Sequence, residues 1–113
     1  MIAIIFEVEP HAEHKDRYLE IAASLRPVLE GIDGFISVER FQSLTNPGKL
    51  LSISFFRDEK ALDDWRNVMD HRKAQTAGRN VLFKDYRLKV CSVIRDYGLN
   101  DREEAPEDSK AAL

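Results

Sequence analysis

The chain has 113 residues, 43% of them hydrophobic and 33% charged, with a formal net charge of −3. That length supports one domain built on one core, and a neutral-to-acidic balance excludes the basic footprint of a nucleic-acid binder. The imbalance is local: within residues 100–113, Asp101, Glu103, Glu104, Glu107 and Asp108 outnumber Arg102 and Lys110 by three, so the rest of the chain is formally neutral.

In chain order, Met1–Val8 (MIAIIFEV) reads as a strand rich in branched side chains, ended by Pro10. His11–Glu30 reads as a helix, with Tyr18, Ile21, Ala22, Leu25 and Leu29 at helical intervals. Pro27 is expected to kink or loosen its last turns. Gly31–Phe35 (GIDGF) turns the chain into a second strand, Phe35–Gln42. Leu44–Lys49 (LTNPGK) carries hairpin chemistry, and Leu50–Phe56 is the third strand. Asp58 is placed to cap a second helix over Asp58–Met69, resuming over His71–Ala77 and punctuated by Gly78. A short Asn80–Phe83 turn leads to the fourth strand, Tyr86–Arg95. Residues 1–98 thus form the domain. Residues 99–113 form an acidic tail, expected to be partly disordered or draped on a neighbour. The order βαββαβ is that of an α+β, ferredoxin-like sandwich.

Both crossover helices of such a unit cover one face of the sheet. Yet strand alternation leaves neither face polar. Ile2, Ile4, Phe6 and Val8 oppose Ala3 and Ile5; Ile36 and Val38 oppose Phe35 and Phe41; Leu51, Ile53 and Phe55 oppose Leu50 and Phe56; Leu88, Val90 and Ile94 oppose Cys91 and Val93. A second sheet must close over the uncovered face, and an identical chain is its simplest supplier, giving a homodimer packed as an α+β barrel. Arg95 and Tyr97 read as contacts to that partner.

The richest stretch is Asp58–Arg79 (DEKALDDWRNVMDHRKAQTAGR). On a helical wheel Ala61, Leu62, Val68 and Met69 fall within about 60° of the lone Trp65, which centres the buried stripe. Arg72 continues that stripe, Gln75 lies at its edge and His71 on its flank. An aromatic floor with a polar rim suits a flat organic ligand. The plainer reading is a core tryptophan beside a solvated flank.

The single Cys91 excludes an internal disulfide framework. No Cys/His cluster has zinc spacing, and His11 with His14 has no third ligand at motif spacing, so no metal is expected. The first residues lack a basic n-region and Glu7 interrupts their apolar run, so no signal peptide is read there. No apolar run approaches the roughly 20 residues of a membrane span. A reducing, cytoplasmic setting follows as the expectation.

Gly34-Phe35, the block SFFRDEKALDDW ending at Trp65, and HRKAQTAGR from His71 together resemble the antibiotic-biosynthesis-monooxygenase superfamily, the dimeric α+β barrels. The likeness spans most of Met1–Gly98. It implies cofactor-free oxygenases of quinols, haem-degrading enzymes or relatives of unassigned role. In the oxygenases a Trp on the second helix lines the pocket, and Trp65 matches it. The Asn one turn earlier is here Ala61. The haem-degrading members carry an Asn on the first strand, which is missing from IAIIFEV. Their iron-binding His lies about ten residues after the Trp, where this chain has Gln75; His71 is only six after.

What the resemblance implies is therefore a monooxygenase acting on a small quinol- or anthrone-like aromatic with dioxygen and no cofactor. That chemistry needs a dry pocket, a base near neutral pKa and donors for a developing oxyanion. His71 is the base by intrinsic pKa. Arg79, Arg72 and Gln75 are candidate oxyanion donors, and Trp65, Phe55 and Tyr86 candidate ring contacts. His14 shares a helical face with Tyr18. The alternatives are a non-catalytic small-ligand barrel, which Ala61 favours, and haem binding. RNA binding shares the topology, but KLLSISFF lacks the basic-aromatic pattern it needs.

Overall fold

The computed structural model describes residues 1–75 and 82–110; of residues 69–75 it describes the backbone alone. Strand β1 is Ile2–Pro10 and helix α1 is Lys15–Glu30, entered through a 3-10 turn at Ala12–His14. Strands β2 (Phe35–Gln42) and β3 (Leu50–Phe56) form a hairpin. Helix α2 (Glu59–Gln75) and strand β4 (Phe83–Ser92) follow. The sheet is antiparallel in the order β2-β3-β1-β4. This is the expected ferredoxin-like arrangement, with each crossover skipping one strand.

Several boundaries differ from the expected ones. β1 continues into Pro10, whose missing N–H is tolerated at an irregularity between Glu9 and Pro10. β4 starts at Phe83, paired with Pro10, three residues before the expected Tyr86, and ends at Ser92 rather than Arg95. α1 runs through Pro27 to Glu30, and α2 continues without a break at Asp70. Ala77, Gly78 and the first part of the expected Asn80–Phe83 turn lie outside the described residues.

The hairpin turn is tied by side chains that replace ladder bonds. The Gln42 amide donates to the carbonyls of Ser43, Pro47 and Lys49, the latter two at 2.8 and 3.0 Å. Asn46 Oδ1 accepts the Gly48 N–H at 3.1 Å.

Helices cover the even-numbered face of β1. Ile4 packs with Leu29, Phe56, Ala61 and Leu62, and Ile2, Phe35, Val38 and Trp65 lie against that cluster. A second cluster joins Val8, Tyr18 and Leu50, with Phe6 and Phe83 alongside. Phe35 therefore shares a face with Val38, contrary to strict alternation. The pairing slips between Phe35 and Ser37, and this bulge turns Phe35 into the core, edge-on to Phe56 at 5.9 Å.

The opposite face is uncovered by any described element. Ile5, Leu51, Ile53, Phe55 and Phe41 lie on it, with Cys91 beside Ala3. Glu7 sits among them between Lys49 (3.8 Å) and Lys89 (3.5 Å).

Residues beyond Ser92 depart most from expectation. Val93 donates its N–H to the Met1 carbonyl, and the chain then leaves the sheet. Leu99–Lys110 folds around Arg102. That guanidinium donates to the carbonyls of Gly98 (3.1 Å), Lys110 (3.1 Å) and Ser109, and lies 5.9 Å from the centre of the Tyr97 ring. Glu104 accepts the Asp96 N–H at 2.7 Å, and Ala105 is buried.

Candidate active site

The site is built where α2 starts. Gly34 has φ +91°, and a Cβ placed on it would lie 2.8 Å from Ala61 Cβ. Arg57 donates its N–H to the Gly34 carbonyl at 2.7 Å, and its guanidinium reaches Asp33 and Asp58. Asp58 Oδ1 accepts the Ala61 N–H at 3.0 Å, capping α2. This bond above all, then the Arg57 guanidinium, holds the Asp58 carboxyl below its usual value of 3.8. Asp33 and Asp58 raise the Arg57 pKa in return.

A pH prediction follows. The folded-state pKa of Asp58 lies below the unfolded one, so its stabilisation is complete above about pH 5. It is lost as pH falls through the folded value. Asp58→Ala lowers Tm by a few degrees at pH 7, Asp58→Asn retains most of the cap, and the difference between wild type and Asp58→Ala disappears near pH 2, read by thermal melts across pH.

With its start fixed, α2 presents Ala61, Leu62 and Trp65 to the sheet. Ala61 is buried against Gly34, as part of the core. Trp65 is only partly buried, at the margin of the cluster holding Ile4. Val90, Leu88 and Tyr86 are the cross-strand neighbours of Ile4, Phe6 and Val8, so they too face the helix layer. Ile4 and Val8 are buried, yet Tyr86, Leu88 and Val90 are each more than half exposed. Tyr86, Leu88 and Val90 thus form an exposed apolar strip on the helix side of β4. At one end, Tyr86 contacts Phe6 (5.8 Å between ring centres) and Phe83 (6.0 Å), and Phe83 meets Tyr18 at 5.5 Å.

Of the candidate residues, the structure puts Trp65 and Tyr86 on the same side of the sheet. It does not bring Phe55 to them. Phe55 pairs with Ala3 on the uncovered face, and it is Phe56, one residue on, that packs in the cluster beside Trp65. Helix α2 includes the backbone of His71, Arg72 and Gln75, but their side chains, and Arg79 altogether, lie outside the described residues. His14 stacks edge-on to His11 at 6.4 Å, and among the described residues no group of three His, Cys, Asp or Glu side chains is placed to hold a metal. Two open hollows of about 510 and 550 Å³ lie at the β2–β3 side and the hairpin end; neither touches Trp65. Phe6, Phe83, Leu88 and Val90, which were not among the candidates, lie on the same side of the sheet as Tyr86. Alternation on β1 and β4 was the available signal, once the two strands are paired.

The sheet is ferredoxin-like, with a tryptophan on its second helix at the margin of the core. The family model of antibiotic biosynthesis monooxygenases matches residues 1–77, and the chain belongs to that family. It is 48% identical over 101 residues to the jasmonate monooxygenase ABM of Pyricularia oryzae, covering 89% of this chain and 47% of the relative, so the chain spans about half that relative's length. It is 27% identical over 93 residues to YqjZ of Bacillus subtilis, covering 82% of this chain and 79% of YqjZ. Among solved structures, Rv0793 from Mycobacterium tuberculosis superposes with a TM-score of 0.72 at 18% identity, over 86% of this chain and 98% of that one. SO0527 from Shewanella oneidensis superposes at 0.70 with 17% identity, over 80% and 87%. These two show the fold. No helix among the described residues is long and apolar enough to cross a membrane.

Proposed function

We propose that the chain is a cofactor-independent monooxygenase that oxidises a small, electron-rich aromatic substrate with dioxygen. In this reading it is a homodimer in a reducing cytoplasm. The observation that carries it is the apolar strip: Tyr86, Leu88 and Val90 lie on the helix side of the sheet, as Trp65 does, yet stay more than half exposed. A flat apolar substrate would bury these side chains.

In this reading His71 takes a proton from an anthrone-like CH2 or a quinol. The carbanion passes one electron to dioxygen, and the substrate radical and superoxide combine to a hydroperoxide. For the anthrone, loss of one water leaves the carbonyl, so one oxygen atom stays in the product and one leaves as water. Arg72, Gln75 and Arg79 are the donors for the oxyanion, and Trp65 and Tyr86 hold the ring. Phe55, on the other face, is assigned to self-association instead.

The 48% identity to a jasmonate monooxygenase favours a second substrate class. Jasmonate is an apolar cyclopentanone acid, whose ring suits the same strip and whose carboxylate suits Arg72 or Arg79.

Oxygen uptake and product mass, measured with a panel of anthrones, dihydroxyaromatics and jasmonate, test the proposal. Turnover is expected with at least one, falling at least tenfold in Trp65→Ala and ten- to a hundredfold in His71→Ala. Tight binding of ligands recovered unaltered, with no oxygen uptake, would instead make the chain a binding barrel. A Soret shift on adding hemin would point to haem.

A further inference from the structure

We propose that the ligand of this site is a ring carrying an aliphatic side chain, with the ring held at the Phe83 end of β4 and the chain laid along Leu88 and Val90. The inference deepens the reading of the strip as the surface that binds substrate, and rests on it.

The strip changes character along its length. At its start three rings form a triangle. Phe6 and Phe83 lie 6.1 Å apart between centres, Phe6 and Tyr86 5.8 Å, and Phe83 and Tyr86 6.0 Å. Tyr18 backs this group, 5.5 Å from Phe83 and itself buried. Tilted and edge-on contacts of this kind extend readily to one more aromatic ring. From Tyr86 onward the same side of the strand is aliphatic, with Leu88 and then Val90, until Ser92 ends it. Alternate residues of a strand lie about 7 Å apart, so Tyr86 to Val90 runs about 14 Å.

This shape selects the occupant. The strip is one strand wide: its neighbours Ile4 and Val8 are buried, whereas Tyr86, Leu88 and Val90 are 57%, 52% and 52% exposed. Three half-exposed side chains fall well short of the roughly 800 Å² that each partner buries in a stable protein interface. A compact fused-ring ligand would cover Tyr86 and leave the aliphatic half in water. A ring with an unbranched chain covers both halves. The intervening charges, Arg87 and Lys89, belong to the opposite face, where they pair with Glu7 and Ile5. The chain half of the ligand is therefore apolar, and its polar groups sit at the ring.

The test separates binding from turnover. A series of 5-alkylresorcinols, from methyl to nonyl, is titrated without oxygen, with quenching of Trp65, the one indole of the chain, as the signal. Affinity is expected to rise about two- to fourfold per methylene, levelling off in the longest members as the chain passes Val90. Leu88→Ser with Val90→Ser should flatten the series, the loss growing with chain length, while the circular dichroism spectrum is unchanged. Tyr86→Ala should weaken every member alike. Affinity that ignores chain length, or a series that the Leu88 and Val90 changes leave as steep as before, overturns the inference and leaves the oxygenase reading standing. Chain-dependent binding with no oxygen uptake once air is admitted supports the chain-bearing ligand and removes the oxygenase reading. Failure of every member to bind overturns the inference.

Discussion

Phe56→Ala is expected to destabilise the fold by about 3–5 kcal/mol, the range for emptying a fully enclosed aromatic site. Phe56 has no exposed surface. It contacts the cluster that joins β1, α1 and α2, and its ring meets Phe35 edge-on at 5.9 Å. The residues around it belong to a strand and two helices, so the transfer and cavity costs are expected to add. The urea midpoint should fall strongly with little change in slope, and Tm by more than about 10 °C. Phe55→Ala is the informative control. Its side chain lies on the uncovered face, opposite Ala3. It should cost the isolated fold far less and act on self-association. Equal losses of stability from the two changes would contradict the assignment of faces.

Gly34→Ala is the second large effect, about 2–4 kcal/mol, combining a strained backbone with an overfilled contact. At φ +91° an L side chain is unfavourable, and the new Cβ would sit 2.8 Å from Ala61 Cβ and 3.3 Å from the Arg57 guanidinium. The two terms are separable. Ala61→Gly removes the clash and keeps the strain, so a double-mutant cycle between positions 34 and 61 should show a favourable coupling of about 1 kcal/mol or more by chemical denaturation. Additive losses would place the whole cost in the backbone.

The fold was readable because alternation along Met1–Val8 and Leu50–Phe56 and helical spacing around Tyr18 and Trp65 are strong, local patterns. What escaped was non-local. Phe35 changes face through a slip in pairing with β3, which its own strand does not announce. Phe55 and Phe56 are adjacent aromatics, and only the position of α2 over the sheet separates the helix-covered face from the other. The order in Leu99–Lys110 comes from one guanidinium meeting three backbone carbonyls, a contact with no compositional trace in an acidic stretch. At the site, Trp65 stood out as the one indole of the chain, whereas Leu88 and Val90 look like any strand residues until paired with Phe6 and Ile4.

The nine residues of β1 interleave two tasks. Even positions pack beneath the helices, and odd positions face the side that no described helix or strand covers. Because neighbouring residues serve opposite sides of one sheet, a substitution at an even position can reshape the packing under the helices without altering the odd-numbered surface.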